Sequence, residues 1–163
     1  MILSTSQLRT IKTWILANAA SLGDPETAGT LNALATPSFW VWRTSVTKDE
    51  IVGQTSQDGT NFAWTANGFI TRSAGEQAAF REIFAADGTC NPSRANVRQA
   101  FQDIFSGTGN AAANRTHLLA SARRQATVAE KLLSTGTGST GSPAMMGPED
   151  EFTVQNGIDA RNS

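Results

Sequence analysis

The sequence predicts a mainly α-helical fold: a small helical bundle with a short aromatic extended segment or β-hairpin, and an extended C-terminal arm. Three observations lead to this prediction. Capping boxes of the form S/T-x-x-E/Q precede several segments whose apolar residues recur three and four positions apart. Aromatic and β-branched residues are concentrated in one short run. The chain after residue 133 holds few apolar side chains. We therefore predict a helical domain over residues 1–133 and an arm over residues 134–163.

The N-terminal region has the clearest helical pattern. Ser4 and Gln7 form a capping box, in which each side chain satisfies a free backbone N–H, so a helix is expected from about residue 5 to residue 20. Asp24 and Pro25 predict a second, shorter helix, because Asp caps helices and proline fits the first turn. The residues expected on the buried faces of these two helices are Leu8, Ile11, Ile15, Leu16, Ala28, Leu31 and Leu34.

The aromatic run follows Pro37, where the second helix is expected to end. Residues 39–46 read FWVWRTSV, a composition that favours a strand or an extended segment wedged among helices. Strict alternation would place Trp40 and Trp42 on one face and Phe39 and Val41 on the other. A short helical turn is expected next, because Thr47 and Glu50 form a second capping box.

A hairpin-like insertion is predicted at about residues 51–70. Asp58-Gly59 is a type I′ turn signal, and apolar residues stand on both sides of it. Such a hairpin is marginal alone and would have to pack on the helices or on another subunit. Its strands would carry Ile51, Val52 and Thr55 on one side and Phe62, Trp64 and Ile70 on the other.

Four further helices are predicted before the arm. Ser73 and Glu76 cap the first, which is expected to reach about residue 86, and Asn91-Pro92 opens the next. A third runs from about residue 111 to residue 124, and Thr127 with Glu130 starts a short last one. Their inward residues are expected to include Phe80, Ile83, Phe84, Val97, Phe101, Ile104, Phe105, Leu118, Leu119, Leu132 and Leu133.

The arm begins with a low-complexity run, STGTGSTGSP, over residues 134–143. Its few apolar residues after that point cannot offset the entropy of ordering the segment alone. We therefore expect the arm to order on a partner. Its expected anchors are Met145, Met146, Phe152 and Val154.

Charge and reactive residues argue against several classes of function. The net charge of −1 and pI near 5.8 leave no basic excess for general nucleic-acid binding. Cys90 is the only cysteine, so no intrachain disulfide is expected, and with His117 as the only histidine no Cys/His metal site is expected either. We expect His117 to be a surface or half-buried packing residue on its helix. No catalytic, cofactor-binding or metal-binding residue is predicted, and the chain is not expected to be an enzyme.

Compartment signals are equally sparse. No apolar stretch approaches the roughly 20 residues that span a bilayer, and residues 1–22 lack the pattern of a signal peptide. Asn114-Arg115-Thr116 matches a glycosylation acceptor, yet nothing else in the sequence suggests secretion. The expected site of synthesis is a reducing cytoplasm.

The aromatic residues of the middle third are the remaining functional signal. Trp40, Trp42 and Trp64 are core residues or anchors for another subunit, since tryptophan is enriched at the centres of protein interfaces.

Three segments resemble a family of small proteins encoded in tailed-phage and prophage structural modules: FWVWRTSVTKDEIV, RRQATVAEKLL and STGTGSTGSPAMMG. The resemblance covers most of the chain. It implies a virion structural protein, a head–tail connector or adaptor that forms a homo-oligomeric ring between portal and tail. The implied partners are the portal and the neck and tail proteins, with DNA passing through the ring but no sequence-specific DNA contact. Its implied location is the virion neck or tail, after assembly in the bacterial host cytoplasm.

Three alternatives stay open at the level of sequence, one of which is an enzyme with Cys90 as its nucleophile. A tail-tube, tail-completion or capsid-decorating protein is a close relative of the connector hypothesis. A small regulatory DNA-binding protein could hide a helix-turn-helix among these helices, although no basic recognition helix is visible.

Overall fold

The computed structural model describes residues 1–53, 62–64 and 68–163 and confirms the mainly helical prediction. Eight helices and four short strands occur within these residues. Strand β1 pairs with β4, and β2 pairs antiparallel with β3. In chain order the elements are α1 (Thr5–Asn18), α2 (Asp24–Asn32), β1 (Trp40–Trp42), β2 (Val46–Thr47), α3 (Lys48–Val52), α4 (Ala74–Glu82), β3 (Thr89–Cys90), α5 (Ala95–Ile104), α6 (Asn110–Ser121), β4 (Arg123–Gln125), α7 (Val128–Leu133) and α8 (Val154–Asn162).

The chain folds as two compact units. The first comprises Met1–Val41 and Gln125–Ser163, and the second comprises Trp42–Arg124. The expected boundary after residue 133 is therefore not where the chain divides, because residues 134–163 belong to the same unit as the N-terminal helices.

Helix starts follow the predicted capping boxes. Both reciprocal hydrogen bonds form at the starts of α1, α3, α4 and α7. At α4, for example, the backbone N–H of Ser73 donates to Glu76 Oε2 over 2.7 Å, and the Glu76 N–H donates to Ser73 Oγ over 3.2 Å. A fifth box opens α8, where Asn156 takes the role of the Glu or Gln opposite Thr153.

Several helix boundaries differ from expectation. Helix α4 ends at Glu82 rather than at about residue 86, and α6 ends at Ser121 rather than at about residue 124, where strand β4 follows. Helix α1 ends at Asn18, before the predicted residue 20. Gly23 is the N-cap of α2, so Asp24 lies inside the first turn, where its charge favours the helix dipole. Asn91 and Pro92 do not open α5; Asn91 Oδ1 instead accepts hydrogen bonds from the backbone and hydroxyl of Ser93, a turn that delays the helix to Ala95.

The first unit buries the C-terminal helix against the first two helices. Helix α8 packs on α1 and α2, and α7 packs on the same pair. The buried cluster consists of Ile11, Ile15, Ala19, Ala28, Leu31, Ala129, Phe152 and Ala160.

The predicted extended arm is therefore wrong. Phe152 is only 1% exposed, and its backbone N–H and C=O both bond to the Asn32 side chain over 2.9 Å. Arg161 fastens the other end of α8 through an ion pair of 2.9 Å to Asp24. The physical reason is that burying the apolar surface of α1 and α2 is favourable. A few apolar side chains of the C-terminal segment, together with its hydrogen bonds, are enough to bury it.

The low-complexity run is also folded onto the first unit rather than acting as a linker. The Trp40 N–H donates to Gly138 O over 2.7 Å, and the Ala144 N–H donates to Trp40 O over 2.8 Å. Thr135 and Met145 exchange two backbone hydrogen bonds of 2.9 and 2.8 Å. Gly138 is buried with φ +66° against the Phe39 ring, so the run supplies backbone partners to the aromatic strand.

The second unit is built around stacked and edge-on phenylalanine rings. Phe80 lies at its centre, with ring centroids 5.7 Å from Phe105 and 5.8 Å from Phe62. The buried cluster consists of Val46, Ile51, Phe62, Phe69, Phe80, Cys90, Phe101, Ile104, Phe105 and Leu118.

The predicted hairpin is only partly covered by the structure. Its turn, Asp58-Gly59, and its Thr55 lie outside the described residues. Ile51 and Val52, expected on its first strand, form the end of helix α3 instead, since the Thr47–Glu50 capping box directs this segment into a helix. The strands of the second unit, β2 and β3, pair Val46 with Cys90.

Candidate interaction surface

The structure separates the seven predicted anchors into buried, half-buried and exposed residues. Phe152 is a core residue, whereas Trp40, Trp42 and Met146 are half-buried. The exposed members, which alone present much of their side chains to a partner, are Trp64 at 45%, Met145 at 41% and Val154 at 42%.

Trp64 is the one exposed aromatic residue among the predicted anchors, and its ring packs against two phenylalanines. Its ring meets Phe62 edge-on at 4.9 Å and Phe69 edge-on at 5.4 Å between centroids. Both phenylalanines are buried. Ile70 stands beside it, 65% exposed, and donates its N–H to Trp64 O over 2.8 Å. We call Trp64 and Ile70 the Trp64 surface.

Asn114 on α6 fixes the backbone under this surface. Its side chain is fully buried and pairs with both backbone groups of Ala63. The Ala63 N–H donates to Asn114 Oδ1 over 2.7 Å, and Asn114 Nδ2 donates to Ala63 O over 2.9 Å. Its sequence context resembled a glycosylation acceptor, yet a buried amide engaged in this way is not accessible for modification in the folded protein.

Trp40 and Trp42, the other two tryptophans predicted as anchors, each make contacts within their own unit. The Arg98 guanidinium stacks over the Trp42 ring, 4.5 Å from its centroid, and donates to the carbonyls of Pro92 and Ser93. Trp40 holds the 134–144 segment through its backbone. Val41 between them is fully buried, which confirms the predicted alternation.

The reactive side chains occupy structural positions. His117 is fully buried rather than half-buried, and its Nε2 bonds to the Ile51 carbonyl, which ties α6 to the end of α3. Cys90 is 5% exposed, and burial raises the pKa of its thiol to about 11. At neutral pH such a thiol is protonated, which makes it a poor nucleophile.

Among the residues that the structure describes, no group of three or more His, Cys, Asp or Glu side chains could hold a metal ion. None of the described helices has the length and apolar character needed to cross a bilayer.

A second apolar feature, on the first unit, was missed by sequence reasoning. Two adjoining hollows of about 440 and 210 Å³ meet at Trp14, Asn18 and Leu132. Thr10, Thr13 and Asn18 each bond to the carbonyl four residues earlier, so this polar sequence presents a surface that is cheap to desolvate. The sequence signal that could have indicated this surface is Trp14, a single tryptophan among threonine and alanine residues on one side of α1.

Comparison with protein-family models, with curated proteins and with solved structures finds no match for this chain.

Proposed function

We propose that this chain is a virion structural protein of a tailed phage, a head–tail connector subunit that self-associates into a ring between portal and tail. The resemblance of its aromatic segment, its RRQATVAEKLL segment and its Thr/Gly/Ser run to phage structural-module proteins supports this proposal.

The observation that carries the self-association is the Trp64 surface. A tryptophan exposed by 45% beside an isoleucine exposed by 65% leaves a large apolar contact open to solvent. Phe62 and Phe69, on which the indole ring packs, are already buried in the core. A partner can therefore bind this surface with little further loss of conformational entropy. Tryptophan at the centre of a contact is also the residue type whose removal most often costs binding energy.

The C-terminal segment has a different role from the one that the sequence suggested. Phe152 is engaged inside its own unit and is not available to a neighbour. We therefore assign the proposed intersubunit contact to Trp64 and Ile70, with a second copy of the chain as the occupant in the ring.

The test is the effect of Trp64→Ala on mass in solution, measured by light scattering over a range of concentrations. The wild-type chain of 17.3 kDa is expected to form an oligomer, and the variant to associate at least about thirtyfold more weakly, with an unchanged circular dichroism spectrum. Leu16 on α1, which was expected to be buried, is 64% exposed, so Leu16→Ala is the matched control and should assemble normally. A wild-type chain that is monomeric throughout, or a variant that assembles as well as wild type, would refute the proposal.

The neck assignment needs a separate measurement. Under this proposal, a purified portal ring from the phage or prophage that carries this gene should retain the wild-type chain through gel filtration. Absence of any complex with purified portal would contradict the connector role while leaving the self-association result intact.

A further inference from the structure

The Ala63 backbone is held by a side chain in the way that a neighbouring strand would hold it. Asn114 Oδ1 accepts from the Ala63 N–H over 2.7 Å, and Asn114 Nδ2 donates to the Ala63 carbonyl over 2.9 Å. The same carbonyl also accepts from the Phe69 N–H over 3.0 Å. Both backbone groups of the residue before Trp64 are thus fixed from one buried amide.

Only a carboxamide of this length satisfies both contacts. It offers one acceptor and two donors in one plane, which matches a backbone N–H and C=O side by side. A carboxylate in its place would set a second acceptor against the Ala63 carbonyl, and a shorter side chain would leave both backbone groups without this partner.

We propose that Asn114 is the positioning residue of the Trp64 surface. By fixing the backbone of Ala63, Asn114 sets the backbone position of the next residue, Trp64. The Trp64 carbonyl in turn accepts a hydrogen bond from the Ile70 N–H. Phe62 and Phe69 support the indole ring, while Asn114 determines the path of the main chain beneath it. The consequence for docking rests on the proposed self-association, whereas the positioning of Trp64 does not.

The first experiment reads the position of Trp64 without using assembly. In protein labelled with 5-fluorotryptophan, the four tryptophans give four fluorine signals, and the loss of one in Trp64→Phe identifies Trp64. Asn114→Asp, nearly identical in shape, should shift or broaden that signal and leave Trp14 unchanged. Asn96→Asp, the same chemical change at an exposed position on α5, is the matched control and should leave all four unchanged. An unmoved Trp64 signal in folded Asn114→Asp would overturn the proposal.

A second measurement needs no variant and covers the case in which Asn114→Asp fails to fold. The Ala63 amide of the wild-type protein should exchange with deuterium as slowly as the core amides of α6, because its N–H is bonded to a buried acceptor. Exchange of this amide as fast as that of an unstructured peptide would overturn the proposal.

A double-mutant cycle links the residue to docking. Asn114→Asp should weaken self-association at least tenfold, and should add nothing to the loss already caused by Trp64→Ala, because it acts through that residue. Additive losses would identify a general structural role and overturn the proposal. If Trp64→Ala leaves association unchanged, the proposed function fails, but the fluorine signal and the exchange rate still decide the role of Asn114.

Discussion

Gly138 offers the sharpest test of whether the Thr/Gly/Ser run is a folded part of the first unit. This glycine is buried with φ +66°, a region that residues with a Cβ rarely adopt. A Cβ built at this position would overlap the Phe39 ring. The substitution Gly138→Ala should therefore destabilise the protein through both backbone strain and steric overlap.

The magnitude can be worked out from these two effects. Holding a non-glycine residue in the left-handed region costs on the order of 1–3 kcal/mol. Overpacking adds about 1–3 kcal/mol when a neighbour must move, and the neighbour here is a ring that also lies 5.7 Å from Lys131 Nζ. Because Phe39 is half-buried and can turn outward, we expect a total in the lower half of the summed range of about 2–6 kcal/mol, at about 3 kcal/mol.

The assay is urea unfolding followed by circular dichroism. Gly141→Ala is the matched control in the same run, because no atom lies within 4 Å of its added Cβ and its φ is not positive. It should be neutral or stabilise by about 0.5 kcal/mol, through a less flexible unfolded chain. Equal free energies of unfolding for the two variants would refute the reasoning, since a flexible linker would tolerate alanine at both positions.

The remaining predictions concern other parts of the fold. Phe152→Ala should lower the free energy of unfolding by about 3–5 kcal/mol, and Val154→Ala by no more than about 0.5 kcal/mol, in the same urea assay. Because burial raises the pKa of the Cys90 thiol to about 11, its contribution to the stability of the folded state is present below pH 9 and is lost as pH rises toward about 11. Over that interval the free energy of unfolding of wild type should fall by about 2–3 kcal/mol more than that of Cys90→Ala. Hydrogen bonds from Ser73 lower the pKa of Glu76, and the stability that they contribute is present above about pH 4.5 and is lost as pH falls. Ser73→Ala should therefore lower the free energy of unfolding by about 1 kcal/mol at pH 7, and the stability of this variant should depend less on acid.

Local signals predicted the starts of α1, α3, α4 and α7, because the two residues of a capping box satisfy each other without help from the rest of the fold. Ser73 and Glu76 satisfy each other's backbone groups regardless of what packs around them. The alternation of Trp40, Val41 and Trp42 was equally readable, since a strand has only two faces. What these signals cannot fix is where a turn interrupts the pattern, as at Asn91, whose side chain bonds to Ser93 before α5 begins.

The burial of His117 and the placement of Asn114 could not be read from the sequence. Both are polar residues whose partners are main-chain groups far along the chain: Ile51 O for the histidine and Ala63 for the asparagine. A main-chain partner cannot be recognised from residue types. The sequence therefore predicted only a surface or half-buried histidine and showed an N-x-T pattern at Asn114. Trp64 could be nominated from the sequence as a predicted anchor, but Asn114 beneath it could not.

The folded C-terminal segment changes what a truncation can reveal. Removing residues 134–163 deletes Phe152 and Ala160 from the cluster and uncovers Ile11, Ile15 and Leu31, all fully buried in the full chain. Loss of the Phe152 contact alone costs about 3–5 kcal/mol, against a typical total stability of roughly 5–15 kcal/mol.

We therefore expect a chain of residues 1–133 to lose the ordered packing of its first unit. The measurement is near-ultraviolet circular dichroism together with urea unfolding of the truncated chain. Failure of that chain to assemble would say nothing about a contact with neighbours, which is why Trp64→Ala is the better test of assembly. Cooperative unfolding of residues 1–133 with the free energy of the full chain would show that the segment is dispensable, and would contradict the packing described for α8.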